Sequence, residues 1–287
     1  MKLGTARVGG REVVIALDAE GRARVVEDAR DMLDLIDRWE ALKGNLRLSR
    51  DPIELSDLQI LPPIPRPPRS LFCVGKNYRE HAEEFTKSGF DSSASGPNDA
   101  IPEHPIIFSK VQDCIVAHGE AVRYPEGVSN GLDYEAELAV IIGRGGRAIP
   151  RSEALDHVFG YAIFNDITAR DLQARHKQWL IGKSLDTFGP FGPWIVTADE
   201  VDPADLDIRC WVNGELRQSS NTRHLIFDVQ TLIETISAGL TLHRGDIIAT
   251  GTPAGVGIGF TPPRYLIRGD KMAVEISKLG RLENTVV

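Results

Sequence analysis

Short apolar runs, more than long helical patterns, limit the folds open to this chain. Runs that predict β-strands lie at residues 70–74, 105–111, 135–142, 159–164, 194–196, 208–212, 247–250 and 273–276. Helical patterns lie at residues 79–87, 169–179 and 228–238. Because the strands outnumber the helices and do not alternate with them regularly, a doubly wound parallel sheet is disfavoured. We predict an α+β fold built on a mixed or antiparallel sheet.

A proline-rich stretch, LPPIPRPPRS at residues 61–70, divides the chain. Proline lacks a backbone N–H and fixes φ, so this stretch excludes a helix or a central strand. We interpret it as a semi-rigid linker between a small N-terminal α+β domain, residues 1–60, and a large domain, residues 71–287. In the small domain, alternation on both sides of a Gly-Gly pair predicts a hairpin of residues 3–8 and 12–17, and apolar spacing predicts a helix over residues 31–42.

Charge and cysteine usage exclude several protein classes. The chain carries 33 Lys and Arg residues against 41 Asp and Glu residues, a net charge of −8, so it lacks the basic surface expected for binding nucleic acid or an anionic membrane. Its 3 cysteines are far apart and show no Cys-x-x-Cys spacing, which argues against disulfides and a zinc-cysteine site. Since no signal-peptide pattern or membrane-spanning apolar run is present, we expect a cytoplasmic protein.

The segment DYEAELAVIIG places Glu135 and Glu137 on a predicted strand. Side chains two residues apart share one face of a strand, with α-carbons about 6.6 Å apart, so both carboxylates can hold one cation. Asp166 ends a second apolar strand in YAIFND. Three carboxylates suit Mg²⁺ or Mn²⁺ better than zinc. A Glu-x-Glu strand alone is more often a solvated face, but the apolar neighbours favour a buried site.

A histidine and a glutamate in GKNYREHAEEF form a second candidate pair. In a helix that begins at Arg79, His81 and Glu84 lie three residues apart on one face. A carboxylate beside a histidine orients the ring and raises its basicity, as expected of a general base that activates water. The pattern lacks the second histidine of the zinc-protease motif. On pattern alone, a surface pair is the more common arrangement.

The glycine-rich stretch GTPAGVGIG, residues 251–259, follows a predicted strand. Backbone N–H groups of such a turn can bind a carboxylate or a phosphate, although a tight turn that needs positive φ explains the glycines equally well. The stretch matches neither common glycine motif for nucleotides, and the chain shows no Gly-x-Ser-x-Gly elbow, in which a nucleophilic serine lies on a sharp turn between a strand and a helix. A nucleotide site and a nucleophilic serine are therefore disfavoured.

Taken together and in order, several segments resemble the fumarylacetoacetate hydrolase superfamily. They are GKNYREHAEEF, PIIFSK, DYEAELAVIIG, GYAIFNDITARDLQ, GKSLDTFGPFGPW, VNGELRQ, NTRHLIFDVQTLI and GDIIATGTPAGVG, and they cover nearly all of residues 70–287. The resemblance implies that residues 71–287 form a catalytic β-sheet roll of that family's C-terminal-domain type. It also implies a small N-terminal domain, as here, and a homodimer.

The resemblance further implies roles for individual residues and one Mg²⁺ or Mn²⁺ ion per subunit. The residues are Glu135, Glu137 and Asp166 for the metal, His81, Glu84 and Lys183 for catalysis, and Arg170, Gln173 and Thr252 for substrate binding. The His–Glu dyad of the family lies on a lid helix. The polar stretch at residues 91–100 predicts a mobile loop, and we expect closure of residues 85–100 over a bound ligand.

The implied substrates are small 2-oxo acids with a pyruvate-like end. The leading hypothesis is a C–C bond hydrolase of acylpyruvates (2,4-dioxo acids), in which His81 and Glu84 activate water, and the cation and Lys183 stabilise a pyruvate enolate. Decarboxylation of oxaloacetate, and isomerisation or hydration of 2-hydroxymuconate-type dienoates in aromatic catabolism, are alternatives that use the same site. A non-catalytic protein that binds a cation or a small acid is disfavoured, because the dyad and Lys183 are both present.

Overall fold

A computed structural model describes residues 1–89 and 100–287. The strands are β1 (Lys2–Val8), β2 (Arg11–Leu17), β3 (Ala23–Val25), β4 (Gln59–Leu61), β5 (Leu71–Gly75), β6 (Ile106–Lys110), β7 (Ile115–Val116), β8 (Ala121–Val122), β9 (Leu132–Asp133), β10 (Ala136–Ile142), β11 (Val158–Asn165), β12 (Thr168–Ala169), β13 (Gly189–Thr197), β14 (Asp207–Val212), β15 (Glu215–Asn221), β16 (Ile247–Ala249), β17 (Lys271–Ile276) and β18 (Gly280–Val286). The α-helices are α1 (Met32–Asp37), α2 (Trp39–Leu42), α3 (Arg79–Lys87), α4 (Arg170–His176), α5 (Leu180–Lys183) and α6 (Val229–Gly239).

Most strands belong to one large mixed sheet of 11 strands. Its order is β3–β2–β1–β13–β11–β10–β16–β5–β6, with β4 paired to β1 and β7 paired to β13. The pairs β16–β5 and β13–β7 are parallel, whereas β10 runs antiparallel to both of its neighbours. A second sheet has the order β15–β14–β17–β18–β8, and β9 pairs with β12. This architecture confirms the predicted α+β class with a mixed sheet.

The central strands β10 and β11 are buried on both faces. One face packs on the second sheet through residues such as Leu138, Ile208 and Val274. The other face packs on the N-terminal part of the chain, including Leu35 of α1. A strand between two layers needs apolar side chains on both faces, which explains why the β10 and β11 runs are continuous instead of alternating.

Several predicted elements are confirmed, and others end earlier than the sequence suggests. Helix α3 lies where predicted, and the strand predicted over residues 208–212 lies in β14, which forms a hairpin with β15 that turns at Asn213 and Gly214, with φ of 52° and 81°. The helix predicted over residues 169–179 ends at His176, because Lys177 has φ of 59°, and α5 follows separately. The helix predicted over residues 31–42 divides into α1 and α2 at Arg38, whose ψ of 8° leaves the helical range.

The N-terminal strands extend the main sheet. The predicted hairpin is β1–β2, which turns at Gly9 and Gly10. Strand β1 also pairs with β13, where Leu3 lies opposite Ile195. Residues 62–70 contain no helix or strand and connect β4 to β5. The division into a small domain, a linker and a large domain stays a prediction, and the sheet itself continues across it.

Two expectations concern regions around this fold. The loop predicted at residues 91–100 and most of the lid predicted at residues 85–100 lie outside the described residues, since residues 90–99 are not among them. Across residues 1–89 and 100–287, no helix is long and apolar enough to cross a membrane.

Candidate active site

The candidate site lies at one end of the main sheet, where several chain segments converge. The antiparallel register places Ala136 at the start of β10 opposite Asn165 at the end of β11. Glu135 and Glu137 therefore lie beside Asp166, which follows β11 directly. Strand β16 runs antiparallel to β10 and parallel to β5, so the segments that follow β16 and β5 reach the same end of the sheet. These are residues 251–259 and helix α3.

Three buried carboxylates form the centre of the site, as predicted. One oxygen each of Glu135, Glu137 and Asp166 lies within 4.8 Å of the other two, and the residues are 5%, 1% and 0% exposed. Burial, together with the charges of Asp166 and Glu135, raises the pKa of Glu137 well above its usual value. Hard divalent cations prefer such oxygen ligands, and a cation would relieve the repulsion. The side chains therefore fit a divalent metal.

Lys183 lies against two of these carboxylates. Its Nζ is 2.7 Å from Glu135 Oε2 and 2.7 Å from Asp166 Oδ2. Burial alone would raise the pKa of Glu135, but Lys183 and Arg170 outweigh it and lower that pKa to about 2. Burial likewise disfavours the charged lysine, but Asp166 and Glu135 outweigh it and raise the pKa of Lys183. The lysine is therefore protonated at neutral pH.

A second buried lysine, Lys110, was missed by the sequence analysis. Its Nζ lies 2.7 Å from Asp166 Oδ1 and donates to the carbonyl oxygens of Ile167, at 3.0 Å, and Lys183. Lys110 ends the apolar strand β6 and is fully buried. A charge at the end of an apolar strand was the only sign of this role in the sequence, because the partners are distant along the chain.

Arg170 connects the carboxylates to the pocket. Its Nη1 lies 2.7 Å from Glu135 Oε1 and donates to Gln173 Oε1 at 3.2 Å, while its Nε donates to Asp133 Oδ2 at 2.9 Å. Among the described residues, its buried Nη2 has no hydrogen-bond partner. Asp133 was not predicted, although it lies two residues before Glu135 and the alternation of a strand places both on one side. An unsatisfied guanidinium N–H in a pocket is suited to a substrate carboxylate.

The His81–Glu84 pair forms on α3 and faces the site. His81 Nδ1 lies 3.4 Å from Glu84 Oε2, which is at the long end of the hydrogen-bond range. His81 is 4% exposed and its ring stacks on Phe85 with centroids 6.1 Å apart. The pair is therefore not the surface pair that the pattern alone also allowed.

Residues 251–259, which we call the glycine segment, bind carboxylates of the protein itself. The Gly251 N–H donates to Glu137 Oε2 at 2.9 Å, and the Gly255 N–H donates to Glu84 Oε1 at 3.1 Å. The N–H groups of Gly257 and Ile258 donate to Asp133, at 2.6 and 3.0 Å. The anion-binding turn considered in the sequence analysis is thus present, and its described bonds go to internal side chains.

Thr252 belongs to the same segment and lies in the pocket. Its Oγ1 accepts a hydrogen bond from Gln218 Nε2 at 2.8 Å, and Gln218 Oε1 accepts one from the Ala136 N–H at 3.0 Å. Gln218, from the VNGELRQ segment, therefore links the glycine segment to β10. The sequence alone gave no reason to select it.

The pocket brings together most of the predicted residues. Its predicted lining residues are His81, Glu135, Glu137, Arg170, Gln173, Lys183 and Thr252. Glu84 and Asp166 do not line it and act on it through contacts with His81 and Lys183. Phe85, Phe108 and Trp179 supply apolar walls. The roles assigned to these residues stay predictions, while their common location is a property of the fold.

Comparisons with known proteins agree with this architecture. Residues 70–287 match the family model described as fumarylacetoacetate (FAA) hydrolase C-terminal. The chain is 49% identical over 269 residues to oxaloacetate tautomerase YisK of Bacillus subtilis. The aligned part covers 93% of this chain and 84% of that protein.

Solved structures resemble the whole chain. Fumarylacetoacetate hydrolase EaFAH from psychrophilic Exiguobacterium antarcticum superimposes on this chain with a TM-score of 0.85 at 40% identity. The superposition covers 100% of this chain and 99% of that chain. The 5-carboxymethyl-2-hydroxymuconate delta-isomerase from Mycobacterium smegmatis superimposes with a TM-score of 0.80 at 33% identity, with the same coverage of both chains.

Proposed function

The chain belongs to the fumarylacetoacetate hydrolase family, and from this premise we propose that it interconverts the enol and keto forms of oxaloacetate or a closely similar 2-oxo diacid. The relative at 49% identity is called an oxaloacetate tautomerase, and a structural neighbour is called an isomerase. Both names describe reactions that move a proton without adding water. Tautomerisation replaces acylpyruvate hydrolysis, our leading hypothesis from the sequence, which becomes the second candidate.

The observation that carries the proposal is the pairing of the carboxylate cluster with an unsatisfied cationic donor. Three carboxylates converge within 4.8 Å, and the buried Nη2 of Arg170 has no partner among the described residues. A buried donor without a partner costs free energy, about 1–3 kcal/mol. A substrate carboxylate would satisfy Arg170, with Gln173 beside it in the pocket.

We infer that Glu135, Glu137 and Asp166 hold one Mg²⁺ or Mn²⁺ ion in each subunit. Such an ion would supply positive charge beside the 2-oxo oxygen, where negative charge develops when a proton leaves C3. Lys183, Lys110 and Arg170 are each paired with a carboxylate of the triad at 2.7 Å. These contacts orient the carboxylate oxygens.

The proton is moved by His81 in this proposal. Lys183 is protonated because its carboxylate neighbours raise its pKa, so it cannot be the base. Glu84 lies beside Nδ1 of His81, which leaves Nε2 to take a proton from C3 of the keto acid and return it in the reverse direction. Lys183 donates a hydrogen bond to the enolate oxygen. His81 then passes the same proton to this oxygen, so the C3–H bond breaks, an O–H bond forms and His81 returns to its starting state. The reverse direction returns the proton from oxygen to C3, and no water is consumed.

The test follows the ultraviolet absorbance of enol oxaloacetate as it converts to the keto form, with metal-stripped enzyme and with Mg²⁺ restored. We expect the Mg²⁺ enzyme to accelerate the decay, and His81→Ala and Glu84→Gln to slow it by about 10²-fold or more. Glu83→Gln, on the same helix but outside this pocket, should behave as the wild type. A decay no faster than in buffer containing Mg²⁺ would overturn the proposal.

Acylpyruvate hydrolysis is the second candidate, and the His81–Glu84 geometry favours it. The same dyad can deprotonate a water molecule that attacks the C4 carbonyl. Release of pyruvate from an acylpyruvate, lost in His81→Ala, would identify this activity. Pyruvate formed from oxaloacetate above the metal-only rate would instead identify the decarboxylase alternative. A homodimer and a cytoplasmic location stay predictions.

A further inference from the structure

The position of Glu84 is set by the glycine segment more than by its own helix. The Gly255 N–H lies 3.1 Å from Oε1 and 3.3 Å from Oε2 of Glu84, and a single N–H shared between both oxygens fixes the carboxylate plane. The contact of Glu84 with His81 is the longer one, at 3.4 Å. A small displacement of the Glu84 carboxylate would therefore break its contact with the histidine.

Gly259 supplies the space that this carboxylate occupies. A Cβ atom built on Gly259 would lie 1.8 Å from Oε1, 2.1 Å from Cδ and 2.5 Å from Cγ of Glu84. Real Cβ atoms do not approach other atoms so closely. Gly259 does not have positive φ, so conformation does not require glycine at this position. The three atoms nearest to such a Cβ all belong to the Glu84 side chain.

Gly255 differs from Gly259 in its backbone conformation and in the atoms that a Cβ would meet. It has φ of 98°, and a Cβ there would lie 2.0 Å from the backbone oxygen of Arg217. An alanine at Gly255 would therefore strain the backbone and disturb β15. At Gly259 the atoms that a Cβ meets belong to the end of a flexible side chain, which can rotate away while the backbone stays in place.

We propose that Gly259 is a positioning residue: by having no side chain, it keeps the Glu84 carboxylate between the Gly255 N–H and His81, and so orients the proton-transfer histidine. The role of His81 rests on the proposed function, whereas the position of Glu84 does not. Glycine at residue 259 thus belongs to the requirements of the site, although it contacts neither substrate nor metal.

The test compares Gly259→Ala, Glu84→Ala, the double variant and a matched control, Gly239→Ala. A Cβ at Gly239 meets no atom within 4 Å, so this control reports a glycine-to-alanine change without a clash. The first readout is the ¹H–¹⁵N spectrum of histidine-labelled protein, in which His81→Gln identifies the His81 signals. The second is turnover of oxaloacetate, and the third is the unfolding midpoint.

We expect Gly259→Ala to move the His81 signals to the positions found in Glu84→Ala, and to lower turnover by about 10²-fold. The double variant should match Glu84→Ala, since the clash disappears with the side chain. Gly239→Ala should leave the His81 signals and turnover unchanged. Signals in Gly259→Ala that coincide with the wild type would overturn the proposal, as would losses that multiply in the double variant.

One further outcome is also decisive. If Gly259→Ala and the double variant both fail to fold, glycine is required for the fold rather than for Glu84, and the proposal is wrong. The spectra contain no substrate, so they report the position of Glu84 even if oxaloacetate is not turned over. Failure of the proposed function is therefore distinguishable from failure of this inference.

Discussion

At the scale of single residues, each buried carboxylate of the site except Glu137 forms an ion pair with a described lysine or arginine. Asp133 and Glu135 contact Arg170, and Asp166 contacts both buried lysines. Among the described residues, Glu137 has only the Gly251 N–H as a partner. A buried carboxylate without a cation destabilises the folded protein. A cation at the proposed metal site would therefore stabilise Glu137 more than the other two carboxylates.

We predict that Glu137→Gln makes the metal-free protein more stable and abolishes both its response to Mg²⁺ and its activity. The pKa of Glu137 is raised in the folded protein, so ionisation of this group costs stability as pH rises above about 4.5, its ordinary unfolded value. The variant should exceed the wild type by on the order of 1 kcal/mol near neutral pH, and this difference should grow from acid to neutral pH. Urea unfolding of both metal-free proteins measures it.

Addition of Mg²⁺ gives the opposite ranking. The wild type should gain about 2.7 kcal/mol at a free Mg²⁺ concentration 100 times the dissociation constant, whereas the variant should gain nothing. An unchanged Mg²⁺ response in Glu137→Gln, with near-normal turnover, would contradict the assignment of Glu137 as a ligand.

At the scale of elements, the position of Lys183 depends on how closely α4 and α5 pack. A Cβ on Gly182 would lie 2.6 Å from the Gln173 N and 2.9 Å from the Ala169 O. Both contacts are with backbone atoms, so no side-chain rotation relieves them. Lys183 is the next residue, and its position therefore depends on this approach of the two helices.

We predict that Gly182→Ala separates α5 from α4, destabilises the protein by about 1–3 kcal/mol and lowers turnover by about 10²-fold through displacement of Lys183. Gly239→Ala, in open space at the end of α6, is the control for both measurements. Chemical unfolding and steady-state kinetics test the prediction. Turnover equal to that of the control would show that α5 adapts without moving its lysine.

Elements with a regular pattern were predictable, and those set by tertiary contacts were not. Helix α3 and the hairpin β14–β15 follow from local spacing and turn residues. Helix α5 has four residues, too few for a periodic pattern, so local spacing does not predict the element that carries Lys183. Asp133 follows from the same alternation as Glu135 and Glu137. Lys110 and Gln218 reach the site only through the fold.

At the scale of the molecule, the main sheet contains strands from both sides of the predicted domain boundary. Strand β1 pairs with β13, which follows it by more than 180 residues in the sequence. Trp39 of α2 also packs edge-on against Phe159 of β11, with ring centroids 5.2 Å apart. No local pattern reveals a pairing at such separation. The sequence therefore predicted the hairpin but not its attachment to the sheet.

We predict that the N-terminal strands unfold together with the main sheet. Backbone amides of β1 and β2 should then exchange with the same opening free energy as those of β13, because loss of one exposes the apolar surface of the others. Native-state hydrogen exchange with increasing denaturant measures these values. If β1 and β2 open at a clearly lower free energy than β13, residues 1–60 behave as an independent domain.

The glycine segment binds carboxylates through its backbone and not through its side chains. Its described donors to Glu84, Glu137 and Asp133 are main-chain amides, which a conventional alanine scan leaves in place. Such a scan would report steric clashes at Gly255 and Gly259 and lost packing at the buried Val256, but not the contribution of the N–H donors themselves. Ester-for-amide replacement, which deletes one N–H at a time, is the substitution that exposes its contribution.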